Sequence, residues 1–370
     1  MKVLLSGTSN SILAKGISHG IATHPAVTHF ENVSLGASGI IAVGDHMRRI
    51  DFSKHDICIL DYHVNEEVLI QMGLTHVEDS ISNLAAICDA ASRAGCLPIV
   101  VIFPLANRFY TERPFETKLF EGLAQFGLPV FNFYPIIARL ASEMIRPVDD
   151  FFLDPNHINR VIACIFGQSL IDTISEWELS LAHVVETTIN YRSLNFISYT
   201  ELSVRGVSSV ERRSSSLITA DLLHIEPDAQ LSLPKINCGW ELAGMTFNAA
   251  RSWGAMRDET SNIKVLEAKN QILFTLERNL TLVALPFLHT ARLTAEITNL
   301  IYVSSSFTGA ERPPMGFEIF GLILQEQQPA CALKLLIPSA TSNSYMISEV
   351  RYSEMRKAMS DKFLANSNQS

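Results

Sequence analysis

Near residue 185 the texture of this chain changes. Before it, short apolar runs alternate with longer segments of helical periodicity; after it, the helical period gives way to short alternating runs. Strands are expected at Lys2–Leu5, Val27–Ser34, Ile57–Tyr62, Leu97–Phe103 and Pro129–Phe133, each short and rich in Val, Ile, Leu or Phe. Helices are expected near 10–22, 65–94, 114–127, 135–146 and 158–177. In the second of these, Leu69, Met72, Val77, Ile81, Leu84, Ala85 and Cys88 recur at spacings near three and four. Such alternation implies an α/β fold: a three-layer α/β/α sandwich of flavodoxin-like kind, with a mostly parallel five-stranded sheet. Ligands in such folds bind beyond the carboxyl ends of the strands.

The later runs are Phe196–Val204, Ser215–Ile225, Trp240–Asn248, Ile263–Glu267, Ile272–Glu277, Leu280–Pro286, Arg292–Ile297, Gly316–Gln325 and Ala332–Ile337. Turn signals at Pro227-Asp228, Arg278-Asn279 and Pro313-Pro314 separate them, and the spacing suggests an antiparallel β-sandwich. A polar helix is expected at Glu349–Phe363. The expected division is a first domain over 1–185, an accessory β-sandwich over 186–345, and a C-terminal helix and tail over 346–370.

With 47% hydrophobic and 18% charged residues, the chain can build packed cores. A formal net charge of -9 disfavours nucleic acid as a partner, since phosphate binding needs a basic face. The basic pairs Arg48-Arg49 and Arg212-Arg213 read as solvated surface. The six cysteines (Cys58, Cys88, Cys96, Cys164, Cys238 and Cys331) form no CxxC pair and fit a reducing compartment. Val3-Leu4-Leu5 is too short for a signal-peptide core, and polar residues and prolines interrupt the uncharged run between Glu121 and Arg139. A cytoplasmic protein without membrane association is expected.

The first strand ends in Ser6-Gly7-Thr8-Ser9-Asn10-Ser11. A phosphate cradle there would need further glycines, but after Gly7 the next is Gly16, and Lys15 precedes it. Ser11 excludes the GxSxG elbow of α/β-hydrolases. The turn can cap a helix through Ser9 or Asn10, or present a nucleophile. A serine nucleophile needs a base, an orienting acid and donors for an oxyanion. Asp154-Pro155-Asn156-His157 offers acid and base before the last helix. Ser34-Leu35-Gly36-Ala37-Ser38-Gly39 ends the second strand with a glycine whose N–H can approach a ligand, and Asp61-Tyr62-His63-Val64-Asn65-Glu66 ends the third with an amide side chain.

These four segments resemble, in order and separation, the four blocks of the SGNH or GDSL-type serine hydrolase superfamily, over residues 1 to about 180. Gly7-Thr8-Ser9-Asn10-Ser11 is similar to the nucleophile block, Ser34–Gly39 to NxGxSG, His63–Glu66 to GxND, and Asp154–His157 to DxxH. Thr8 stands for the usual Asp, Ser34 for Asn, His63 for Gly and Glu66 for Asp. The resemblance implies Ser9 as nucleophile, His157 as base and Asp154 as its acid. The N–H groups of Ser9 and Gly36 and the Asn65 side chain are then oxyanion donors. Asn10 and Ser11 become the helix cap.

His63 is expected beside the oxyanion site, where it narrows the pocket or adds a donor; Asn107 and Arg108 are expected to contact substrate. No cofactor is implied. With no HExxH, and with His19 and His24 five apart, no metal site is expected. Trp240 and Trp253 read as sandwich core rather than sugar-stacking platforms.

The family and the accessory region suggest an esterase removing O-acyl, O-acetyl above all, from a carbohydrate. An O-acetyltransferase with the same residues and a silent carbohydrate-binding protein are the rivals. The partner is a small-molecule or carbohydrate ester, and exposed strands could pair subunits into a homo-oligomer.

Overall fold

The computed structural model describes residues 1–36, 39–41, 50–71, 73, 75–177, 182–187, 191–214, 219–226, 229–232, 240–248, 252, 254–257, 263–266, 274–282, 287–291, 316–326, 333–338 and 348–367. Arg48-Arg49, Ala37-Ser38, Trp253, Cys238, Cys331 and the strand expected at Arg292–Ile297 lie outside them.

Five parallel strands form the first sheet: β1 Lys2–Gly7, β2 His29–Asn32, β3 Ile57–Asp61, β4 Leu97–Ile102 and β5 Val130–Asn132, in the order β2-β1-β3-β4-β5. Val3, Leu4, Leu5, Ile57, Cys58 and Ile59 are wholly buried, as expected of central strands covered on both faces. In this order the chain reverses direction of travel between β1 and β3, the crevice where open α/β sheets bind ligands. Register sets Gly7 of β1 beside Asp61 of β3, so the segments that follow both strands emerge together.

Among the described residues the α-helices are α1 Ser9–Ile12, α2 Ile17–Ala22, α3 His63–Gln71, α4 Val77–Arg93, α5 Pro114–Glu121, α6 Tyr134–Met144, α7 Arg160–Ser175 and α8 Glu349–Ser367. Two expected helices are divided. The stretch 10–22 breaks at Leu13–Gly16, where Lys15 takes φ 60. The stretch 65–94 breaks where Gly73 adopts φ +66, a conformation glycine reaches without Cβ strain. Cys58, Cys88, Cys96 and Cys164 are free thiols. No helix among the described residues is long and apolar enough to cross a membrane.

The C-terminal helix belongs spatially with the N-terminal sheet. Tyr352, Met355 and Met359 are buried in the same hydrophobic cluster as β1–β5. Arg351 Nε donates to Asp172 Oδ2 at 2.6 Å, and Arg139 Nη1 donates to Glu349 Oε1 at 2.7 Å. An unexpected strand, His183–Thr187, pairs antiparallel with Leu333–Ile337. That ribbon lies on α4, with the Lys334 N–H donating to Asp89 Oδ1 and the Leu336 N–H to Ser92 Oγ.

Apart from a short hairpin at 152–158, the remaining described strands form two antiparallel sheets. One contains 203–205, 230–232, 254–257, 263–266 and 287–291; the other contains 194–198, 208–214, 219–225, 240–247, 274–282 and 317–326. One hydrophobic cluster draws on both, including Leu231 of the first and Met245, Phe247, Phe317 and Ile319 of the second. Phe274–Leu282 is one strand rather than two. Arg278-Asn279, expected as a turn, falls in a register shift opposite Ala243, so pairing with 240–247 resumes beyond it. Arg213 departs from the expected solvated pair: its Nε and Nη2 hold the buried Glu318 carboxylate at 2.5–3.1 Å.

Candidate active site

β1 ends at Gly7, where nothing larger fits. A Cβ at this position would stand 2.7 Å from Asp61 Cβ and 2.8 Å from the Asp61 carbonyl oxygen. The close approach lets Asp61 gather the turn that follows. Asp61 Oδ2 accepts from Ser11 Oγ at 2.7 Å, Thr8 Oγ1 at 3.1 Å and the Thr8 N–H at 3.4 Å. Burial pushes the Asp61 carboxyl up to about 6, against the pull of these donors and of His157. With Thr8 and Ser11 turned inward, Ser9 is left partly exposed at the start of α1.

Asp154 and His157 lie on a hairpin made by β6 Phe152–Asp154 and β7 His157–Ile158, joined by Pro155-Asn156. The Asn156 N–H donates to Asp154 Oδ1 at 2.9 Å, tightening the turn. His157 Nδ1 lies 2.8 Å from Asp154 Oδ1 and 2.7 Å from Oδ2, and its Nε2 lies 2.7 Å from Ser9 Oγ. An ionised carboxylate only accepts, so Nδ1 carries the proton and Nε2 is left to accept from the serine hydroxyl. Desolvation raises the Asp154 carboxyl, but the Asn156 N–H and His157 outweigh it, and the net displacement is downward. The hydroxyl, imidazole and carboxylate therefore stand in a continuous relay able to remove a proton from Ser9 as it attacks a carbonyl.

The hairpin is braced from two sides. Asn10 Nδ2 donates to the Asn156 carbonyl at 3.1 Å, and the Ile158 N–H donates to Asn10 Oδ1 at 3.4 Å. The Ala106 N–H donates to the Pro155 carbonyl at 3.0 Å. Asn10 and Ser11 are thus not the helix cap expected from sequence. The N-cap of α1 is Thr8, whose hydroxyl bonds Asp61 instead of the first-turn N–H groups. Asn10 and Ser11 lie inside the helix with their side chains committed to tertiary bonds.

The Leu35 N–H donates to the Gly7 carbonyl at 2.9 Å, carrying the chain after β2 along the end of β1. A Cβ at Gly36 would meet Ile12 Cδ1 at 3.3 Å and Ser9 Cβ at 3.9 Å, so Gly36 borders the serine. Asn65 lies in the first turn of α3, just past the end of β3, and is partly exposed. Asn107 is exposed and Arg108 partly buried on the 3-10 turn Ala106–Arg108, which contacts the hairpin through Ala106.

His63, expected to narrow a pocket or add a donor there, does not reach solvent. It is wholly buried, with Nδ1 at 3.1 Å from the Phe103 carbonyl and Nε2 at 3.6 Å from Glu67 Oε1, its ring against Phe115 and Tyr134. Burial, reinforced by Arg113, lowers its basicity to about 3, against the hydrogen bond to Phe103. It starts α3, and the helical turn directs it inward while Asn65 faces elsewhere. Glu67, nearby and buried, is raised to about 7 by burial, against the Glu116 N–H and Arg108. From sequence Asn10 reads only as a helix cap and Asp61 only as part of the end of the third strand; neither reads as a residue that holds the turn or the hairpin. The available signal for Asp61 was a carboxylate closing an apolar central strand.

No family model matches this chain, and no curated protein matches it. Among solved structures it is similar to the protein YxiM of Bacillus subtilis, at 11% identity and a TM-score of 0.39, over 47% of this chain and 56% of that one. It is also similar to the psychrotrophic esterase EstA of Pseudoalteromonas sp., in a structure inhibited by monoethylphosphonate. There the identity is 16% and the TM-score 0.34, over 47% of this chain and 97% of that one. The chain thus spans little more than half the length of YxiM. At such values the chemistry has to be read from the residues themselves.

Proposed function

We propose that this chain is a serine-dependent ester hydrolase that removes O-acyl groups, O-acetyl above all, from a carbohydrate through an acyl-enzyme on Ser9. The observation that carries the reading is the relay: Ser9 Oγ to His157 Nε2 at 2.7 Å, and His157 Nδ1 to both Asp154 oxygens. Ser9 Oγ attacks the ester carbonyl while His157 Nε2 takes its proton. The tetrahedral intermediate collapses, the C–O bond to the alcohol breaks, and His157 returns the proton to the departing oxygen. Water then attacks the acyl-enzyme, giving its proton to His157, and the acid leaves as Ser9 is reprotonated. Asp154 keeps the imidazole in the required tautomer and stabilises its charged form. The N–H groups of Ser9 and Gly36 and the Asn65 amide are the proposed oxyanion donors, each contributing about 3 kcal/mol to the transition state.

A small acyl group is supported by the closeness of the Gly36 backbone to Ser9, where an added methyl would come within 3.9 Å of Ser9 Cβ. A polar alcohol is supported by the other rim, where Asn156 and Asn107 are exposed. In this reading residues 1–185, with the helix at 349–367 packed on them, form the catalytic unit. The strands of 194–326 form an accessory β-sandwich, a reading supported by the hydrophobic cluster that draws on both antiparallel sheets, while Leu333–Ile337 packs with the catalytic unit.

The test is hydrolysis of p-nitrophenyl acetate by wild type and Ser9→Ala, with mass spectrometry after treatment with a reactive phosphonate. A loss of about 10³-fold or more in the variant, with the adduct on Ser9, is expected. Equal rates, or no adduct, overturn the reading. Adding sugar acceptors to the wild-type assay separates hydrolysis from acetyl transfer, which shows as acetylated sugar in place of free acetate.

A further inference from the structure

We propose a second site, a divalent transition-metal centre formed by His29, Glu31 and His55 at the amino ends of the strands. It stands independently of the Ser9 chemistry. His29 and Glu31 are two residues apart on β2 and so share a face; both are exposed. His55 precedes β3 and is buried. The parallel crossover brings the three together, with one donor atom from each within 4.8 Å of the others. The two imidazole rings lie 5.9 Å apart between centroids.

The orientation of His55 is what points to a cation. Its side chain is 1% exposed, and its Nδ1 lies 3.3 Å from the Asp51 carbonyl oxygen, which can only accept. The ring proton therefore sits on Nδ1, leaving the Nε2 lone pair unengaged, with Glu31 Oε2 3.0 Å away but off the direction of a hydrogen bond. That Nε2 is buried and has no hydrogen-bond partner. Two acceptors this close repel unless a positive charge lies beside both. An imidazole whose other N–H is held by a backbone carbonyl is also the usual posture of a metal-ligating histidine. Tetrahedral zinc, with bonds of about 2.0–2.2 Å, sets its donors about 3.4 Å apart. The observed 3.0 Å and the 4.8 Å limit bracket that value, and two of the three side chains are exposed and able to adjust.

Two imidazoles and one carboxylate suit zinc, nickel or copper better than magnesium or calcium. The exposed side of His29 leaves a fourth position for water. The site lies away from Ser9: His29 pairs with Lys2 at the start of β1, and Ser9 follows its end, about 17 Å along the strand. Its position suits a clip that fastens the edge strand β2 to the segment entering β3.

The experiment uses the full chain, stripped with EDTA and dialysed, and titrated with Zn²⁺ by calorimetry at pH 7.5, with Co²⁺ absorption reporting ligand geometry. Expected are one ion per chain, a tetrahedral Co²⁺ spectrum, and a Zn²⁺-dependent rise in Tm of about 5 °C at saturation. His29→Ala and Glu31→Gln, both at exposed positions, should each weaken binding at least about tenfold and abolish the rise. Absence of saturable binding overturns the proposal. So does binding that persists unchanged in either variant, which would put the ion on other histidines and leave a proton between His55 and Glu31.

Discussion

Asn10 holds Asn156 by donating from Nδ2 to its carbonyl at 3.1 Å, and the same amide accepts from Ile158 on the far side of His157. The residue after the proposed nucleophile thereby positions the backbone around the proposed base. Asn10→Ala should lower kcat for p-nitrophenyl acetate about 10- to 100-fold with little change in KM, because small misplacement of a reacting group is costly. Asn10→Asp, which keeps the acceptor for Ile158, should fall between. Unchanged kcat in both, with the fold intact by circular dichroism, would remove the positioning role.

Two glycines near Ser9 should behave oppositely. At Gly7 an added Cβ meets Asp61 at 2.7 and 2.8 Å, including backbone, so Gly7→Ala should destabilise the chain by about 2 kcal/mol or more in urea unfolding. At Gly36 the nearest atom, 3.3 Å away, is the end of the Ile12 side chain. Gly36→Ala should leave Tm within a few degrees but reduce kcat/KM, since the methyl intrudes beside Ser9. If instead Gly36→Ala leaves kcat/KM at the wild-type value, Gly36 does not border the reacting carbonyl.

Glu67 links folding to pH on the alkaline side. Burial raises it from its ordinary 4.5 to about 7. A carboxyl raised on folding contributes stability that is fully present below pH 4.5 and is lost as pH rises through about 7. Glu67→Gln should therefore gain about 1–3 kcal/mol over wild type at pH 8 relative to pH 5. Denaturant unfolding at both values checks this, and an identical difference at the two pH values contradicts it.

His63 acts on the acid side with the opposite sign. Its folded value near 3 lies below the ordinary 6.5, so its contribution is present above pH 6.5 and is lost as pH falls toward 3. His63→Gln, which retains a donor for the Phe103 carbonyl, should flatten the fall in Tm between pH 6.5 and 4. A wild-type slope in the variant would assign acid instability to other groups.

The five strand positions and most of the helical segments between them were legible in the chain itself, and the segments bearing Ser9, Gly36, Asn65, Asp154 and His157 stood out there as strand ends and loops that a family resemblance picked out. They rest on local causes: apolar runs the length of a buried strand, periodicity near 3.6, and small or amide residues where runs end. The division of the first long helix at Lys15, and the strand that continues through Arg278-Asn279, were not. Pairing across a sheet decides such boundaries, and a turn-forming dipeptide inside a register shift looks locally like a strand end.

Within the site, sequence supplied the chemistry and tertiary structure supplied the neighbours. That Ser9, Asp154 and His157 could share a proton follows from residue types; that they meet at 2.7 Å follows from β1 and the hairpin being brought together. Asn10 and Ser11 carry every mark of a helix cap, yet Asn156 and Asp61, far along the chain, claim their side chains. His63 could face either way at the start of α3, and packing against Phe115 and Tyr134 turned it inward. His29, Glu31 and His55 have no metal-ligand spacing in the sequence and converge only when β2, β1 and β3 align. Patterning along a chain is local, whereas hydrogen-bond partners and burial depend on contacts between distant segments, which exist only after the sheet has formed.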